Sequence, residues 1–307
     1  MKEVLHDQLE DLRRLLPQYE FIGVGRDDGK AGGEYNPIMF HRARFTLLDS
    51  GTLWLSETPH VVGSKGWDAD LPRVLTWARL LTKGVLSSKE NGTEQEVWYL
   101  NTHFDHAGPT SRVESAKLIL RAVREALGLP DVVENGENHL EALFRRNEGT
   151  DSPDDCAGSE LSGDIAATIT TSPIVLVTGD FNDLETSECY KAMESASLAE
   201  NGKTSLPMMF DTRKVAAVVD QSDVSTFTGM RGEFAKVIDF VWVAGESVCM
   251  IDGWTGRGLR SCSERFDGAA GAHSAVGIRR NSVVAQSWKD KTLASDHAAV
   301  VVELLLI

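Results

Sequence analysis

Between Ile174 and Asp183 the chain reads Ile-Val-Leu-Val-Thr-Gly-Asp-Phe-Asn-Asp, which sets a carboxylate and an amide two residues apart directly after an apolar run. Asp180 and Asn182 are residue types that bind metal ions and phosphates, although an Asx-rich turn capping a helix from Thr186 would use them equally well. Similar placements recur. Asn101-Thr-His103-Phe-Asp105, Val237-Ile-Asp239-Phe-Val-Trp-Val and Ser295-Asp296-His297 each put a polar chemical group beside an apolar strand-like stretch. Singly, His103 reads as a core histidine, Asp239 as a strand-edge charge and Asp296 as a turn residue. Jointly they meet the needs of phosphate-ester hydrolysis. That reaction requires a divalent cation on hard oxygen ligands, a base for the attacking water and donors to the phosphoryl oxygens. Imidazoles held by carboxylates supply such donors, because the carboxylate fixes the tautomer and favours the charged ring.

These groups need strands to carry them. Ile174–Val177 is rich in β-branched residues and predicts a short buried strand, which Gly179 allows to turn. Arg73–Leu81 and Glu96–Thr102 predict a strand pair across the Asn91-Gly92 turn signal, and the second of them delivers His103. Val224–Thr228, Val237–Val243 and Ala298–Leu306 predict further strands, with another at Ser282–Gln286. Near the start, Leu5, Leu9, Leu12 and Leu16 predict an amphipathic helix over 4–16, stopped by Pro17. Strands are then expected at 19–25 and 34–40, the second paired with 44–48, and Asp49-Ser-Gly51 reads as a turn into 52–55. A helix over 110–127 has Thr110 and Ser111 as cap candidates, and Ser187–Leu198 predicts another. Strands in both halves with few helices predict two sheets packed face to face, with helices outside.

The 307 residues favour one domain, since no low-complexity linker divides them. No run approaches eighteen apolar residues, so no membrane span is expected. The chain opens Met-Lys-Glu-Val-Leu-His-Asp, without the apolar core of a secretory signal, and its four cysteines form no C-x-x-C pair. A reducing, cytoplasmic setting is the expectation. The net charge of −15 argues against a duplex-gripping enzyme. It is uneven, however: residues 131–172 carry ten Asp/Glu against two Arg. That stretch is expected to be a mobile acidic insertion outside the site, and 245–293 an irregular one.

The ordered set Glu3-Val, Glu34-Tyr35, Asn-Thr-His103, Gly-Asp180-Phe-Asn182, Ile-Asp239-Phe and Ser-Asp296-His297 resembles the endonuclease/exonuclease/phosphatase superfamily, and it covers nearly the whole chain. The resemblance is most specific to a microbial branch, through Gly25-Arg-Asp-Asp-Gly-Lys30, Trp54-Leu-Ser-Glu-Thr-Pro59, Gly66-Trp67 and Asn101-Thr-His-Phe-Asp-His106. It implies an α+β fold, the DNase I-like four-layer α/β/β/α sandwich of two mixed, mostly antiparallel sheets with outer helices. It also implies a hydrolase that attacks a phosphodiester or phosphomonoester with an activated water. Glu3 and Asp296 would be acids on the metal side for Mg²⁺ or Mn²⁺. Glu34 would hold His103, Asp239 would hold His297, Asp180 would orient or deprotonate the water, and Asn182 would bond transition-state oxygens or the metal's water shell. Arg26, Tyr35 and His106 are candidates for substrate contact, and Trp67 reads as a packed or lip residue rather than a stacking platform. The substrate would be a small phosphorylated molecule or single-stranded nucleic acid, and no protein partner is evident.

One departure stands out. Family members begin with a strand ending in a metal-side Asn some thirty residues before the glutamate, whereas only two residues precede Glu3 here. The chain is therefore expected either to start too late or, alternatively, to be a non-catalytic relative inactivated by the loss of that strand and Asn.

Overall fold

The computed structural model describes residues 1–83, 94–129, 142–144, 172–195, 209–216, 218–220, 225–227, 236–244, 248–249, 276–284, 297 and 299–306. Asp296, the Asn91-Gly92 turn and most of 131–172 and 245–293 lie outside them.

Strands β3 (Phe45–Trp54), β4 (Val74–Thr82), β5 (Glu96–His103), β6 (Ile174–Asp180), β9 (Asp239–Ala244) and β7 (Met209–Asp211) form a six-stranded sheet in that order. All neighbours are antiparallel except β5 and β6, which run parallel. Strand β4 is buried at every residue but Arg79, as a strand covered on both faces must be. Alternate residues serve the two covers. Trp98, Leu100, Val175 and Val177 pack with Ile119, Ala122 and Val123 of helix α2 (Pro109–Ala126) and with Tyr190 and Met193 of helix α3 (Glu188–Ser195). Val97, Ile174 and Leu176 face the other way. They pack with Ile38 and Phe40 of β2 (Ile38–His41) and with Val302 and Leu304 of β12 (Ala299–Leu306).

The second layer consists of β1 (Tyr19–Ile22) paired with β2, and of β10 (Val248–Cys249), β11 (Val276–Val284) and β12, with β8 (Val218–Asp220) also on β11. Helix α1 (His6–Leu15) closes the outside by setting Leu9 against Phe21 and Tyr35. A short helix α4 (Thr212–Val215) follows β7. The sequence of layers is α/β/β/α.

Several local expectations are corrected. The stretch at 34–40 does not pair with 44–48; β2 pairs with β1, and 45–54 form one strand on β4. The turn expected at Asp49-Ser-Gly51 is a shift of register within β3, between Leu47 and Asp49. Gly51 is there for room, since a Cβ would lie 2.9 Å from the Trp77 indole. Neither Thr110 nor Ser111 caps α2 with its side chain. Gly108 is the N-cap, and the Asp68 carboxylate accepts from the Thr110 and Ser111 N–H groups at 3.1 and 2.6 Å. The segment expected to be irregular at 245–293 contributes β10 and β11. Among the described residues no helix is long and apolar enough to cross a membrane.

Candidate active site

Register builds the centre. His103 ends β5 beside Asp180 at the end of β6, and Asp180 pairs with Asp239 at the start of β9, so adjacent strands present three chemical side chains in one row. The row needs Gly179, because a Cβ there would meet the Thr102 carbonyl oxygen at 2.3 Å. A bridge between Phe227 and His297 brings the second imidazole to the same end, its ring 4.9 Å from that of Phe227. The Thr226 hydroxyl accepts from the Ile238 and Asp239 N–H groups, which fixes the start of β9. From the other side, Val4 bridges Tyr35 and brings Lys2 and Glu3 over the row.

The Asp180 side chain is only 1% exposed. Its Oδ1 accepts the Asn182 N–H at 2.7 Å, and its Oδ2 lies 3.6 Å from Nε2 of both His103 and His297. Burial raises its pKa, and the neighbouring Asp239 adds to the rise against the opposing charge of Lys2. Asn182 adopts a left-handed backbone, φ 49°, at which an asparagine is tolerated. Its Nδ2 donates to His103 Nε2 and to the Phe104 carbonyl, both at 3.0 Å.

The two imidazoles differ. Burial would lower the His297 pKa, but Asp239 accepts from Nδ1 at 2.7 Å and raises it above the ordinary value. Asp239 itself is lowered, because His297 and Lys2 outweigh its burial. His103 moves the opposite way: burial first, then Arg73, Lys2 and Arg26, hold it well below the usual histidine value. The ring expected to stay charged is thus neutral. The Asn182 donation to Nε2 leaves the proton on Nδ1. Glu34 Oε2 stands 3.9 Å from that Nδ1, outside hydrogen-bond distance, and pairs with Arg26 Nη1 at 2.7 Å.

Among the candidate substrate contacts, Arg26 is buried against Glu34, and the Tyr35 hydroxyl donates to the Lys30 carbonyl at 2.6 Å and meets His6 Nδ1 at 3.0 Å. His106 is more open, with Nδ1 3.1 Å from Arg73 Nη2. Trp67 lies in a loop with φ 52°, its N–H directed at Glu57. Asp296 lies outside the described residues. Two residues went unread in the sequence. Arg73, buried, pairs with Asp105 at 3.3 Å beside His103; its only sequence signal is its place just ahead of β4. Lys2 forms ion pairs with Asp180 and with Asp239, the latter at 3.0 Å. Its signal was available, since a cation stands next to Glu3 in Met-Lys-Glu-Val.

Two overlapping groups can hold a cation: Glu3, His103 and Asp180, and Asp180, Asp239 and His297, each with its ligand atoms within 4.8 Å of one another. In the first, two carboxylates supply the hard oxygens that Mg²⁺ and Mn²⁺ prefer, with one imidazole that Mn²⁺ accepts, so the donor set fits. In the second an ammonium already stands among the donors.

No protein-family model matches the chain, and no curated protein matches it. Solved structures do. An endonuclease/exonuclease/phosphatase from Bacteroides vulgatus is 29% identical, covering 100% of this chain and 84% of its own at a TM-score of 0.65. A family protein from Bacteroides thetaiotaomicron is 25% identical over 99% of this chain and 81% of its own, TM-score 0.62. A mannosyl-6-phosphatase from the same organism is also 25% identical, over 99% and 83%, TM-score 0.62. The layers and these likenesses define a DNase I-like α/β/β/α sandwich. The chain belongs to the endonuclease/exonuclease/phosphatase superfamily.

Proposed function

We propose that the chain is a divalent-metal-dependent phosphoesterase acting on a small phosphorylated substrate, a sugar phosphomonoester foremost. The observation that carries this reading is the row of His103, Asp180 and Asp239, closed by His297, Asn182 and Glu3. Asp180, buried and made more basic by its surroundings, orients the attacking water and takes its proton. His297, whose charged form Asp239 favours, donates to a phosphoryl oxygen. Asn182 holds His103 and the turn that presents Asp180. Glu3 would hold the cation beside Asp180, with Asp296 as a further acid; Mg²⁺ or Mn²⁺ there would supply charge to the phosphoryl oxygens and the leaving group. The likeness to a mannosyl-6-phosphatase supports a sugar phosphate, and the charge of −15 disfavours a long polyanion.

The test is a panel of hexose 6-phosphates, p-nitrophenyl phosphate, bis-p-nitrophenyl phosphate and single-stranded DNA, each with and without Mg²⁺ or Mn²⁺. Monoester turnover that stops with EDTA and returns with either cation is expected. Undiminished turnover after thorough chelation sinks the reading, and a preference for DNA sinks the substrate assignment.

A further inference from the structure

The second cation-binding group has a tenant from this chain. Lys2 Nζ forms an ion pair with Asp180, lies 3.0 Å from Asp239 Oδ1, and stands 3.0 and 3.1 Å from the two ring nitrogens of His297. These are the three residues whose ligand atoms cluster within 4.8 Å. The lysine side chain is 14% exposed, so its ammonium is largely withdrawn from water and depends on the carboxylates of Asp180 and Asp239. The backbone holds it there. Asn101 Nδ2 donates to the Met1 carbonyl at 2.5 Å, and Val4 exchanges both its backbone bonds with Tyr35 at 3.3 and 2.8 Å. Between those two anchors Glu3, with φ 57°, reaches to within 3.6 Å of His103 while Lys2 reaches Asp180 and Asp239.

Two carboxylates side by side at the ends of adjacent strands repel unless a cation lies between them. Most sites answer that with a metal ion; here a primary ammonium on a four-carbon stem does so. We propose that Lys2 is a tethered cation that takes the place of a divalent ion between Asp180, Asp239 and His297, so that the centre loads one divalent cation, on the Glu3 side. This rests on the metal-dependent reading above. Its chemical consequence is that the phosphoryl group meets one divalent cation and one ammonium. The ammonium stays with the chain when the metal leaves.

Mn²⁺ binding counted by electron paramagnetic resonance on the full chain tests this without any turnover. Wild type should bind one Mn²⁺, Lys2→Arg one, and Lys2→Gln two, the second at least about tenfold tighter than any residual second binding in wild type. Equal stoichiometry and affinity in wild type and Lys2→Gln would overturn the assignment. So would two tight sites in wild type, an outcome that needs no variant to fold. The parent reading fails differently: wild type would then bind no Mn²⁺ and show no Mn²⁺-dependent hydrolysis. One bound Mn²⁺ with hydrolysis, and no gain in Lys2→Gln, sinks the role of Lys2 alone.

Discussion

Asp239 and His297 meet through one 2.7 Å hydrogen bond, and what each does for the other sets how their loss combines. The carboxylate favours the protonated ring, and the ring donates to the carboxylate. Removing a charged donor from a preorganised site costs roughly 10²–10³ in rate. His297→Ala and Asp239→Asn are therefore each expected to lower kcat/KM by about that much, and the double variant to be little worse than His297→Ala alone. Effects that multiply would show that Asp239 acts apart from the ring. His103 has no such tie. Its Nε2 accepts from Asn182 and its Nδ1 faces Glu34 across 3.9 Å, so Glu34→Gln should cost less than Asp239→Asn. The motifs disclosed both histidines, because each sits beside an apolar strand that the sequence shows plainly. They did not disclose the charge of His103, which burial, Arg73, Lys2 and Arg26 decide from places distant in the chain.

At the scale of elements, the parallel contact between β5 and β6 sets the height at which His103 faces Asp180, and Gly179 is its tightest point. A Cβ placed 2.3 Å from the Thr102 carbonyl oxygen must push the strands apart. Gly179→Ala is expected to destabilise by about 1–3 kcal/mol in urea unfolding and, on the proposed role of Asp180, to lower kcat more than KM, since it would displace that carboxylate. Unchanged stability and turnover would mean that the strand end yields freely. Strands β4, β5, β6 and β9 were legible because their apolar runs are long. The single strand β3 was not, as Asp49-Ser-Gly51 carries turn residues while Gly51 makes room for Trp77, a contact no local pattern encodes. The cap on α2 was hidden likewise, because Asp68 lies in a loop 42 residues before Thr110.

For the molecule as a whole, Asp105 joins the loop before β4 to the start of α2. Its buried carboxylate accepts from the Leu71, Ala107 and Gly108 N–H groups and from Arg73. Burial alone would raise its pKa, yet the backbone N–H groups of Gly108, Ala107, Asp70 and Leu71 hold it far below the ordinary value. A depressed folded pKa contributes stability that is present above the unfolded value, about 3.9, and is lost as pH falls through the folded one. The stability difference between wild type and Asp105→Asn is thus expected to be largest near neutrality and to shrink below about pH 4. Urea midpoints from pH 3 to 7 check it, and a difference that ignores pH would refute it. The architecture was legible from the alternation of strands and helices; the order of the sheet was not, because long-range pairing leaves little trace in local composition.

Parallel neighbours cannot be joined by a tight turn, so after His103 the chain must leave the sheet and re-enter at Ile174. Lys2, Glu3, Glu34 and His103 precede that excursion; Asp180, Asn182, Asp239 and His297 follow it. A cut within the excursion divides the site as well as the chain: one piece carries Lys2, Glu3, Glu34 and His103, and the other Asp180, Asn182, Asp239 and His297. Hydrolysis would then register the reunion of two separately inert fragments, which is the logic of a two-component sensor.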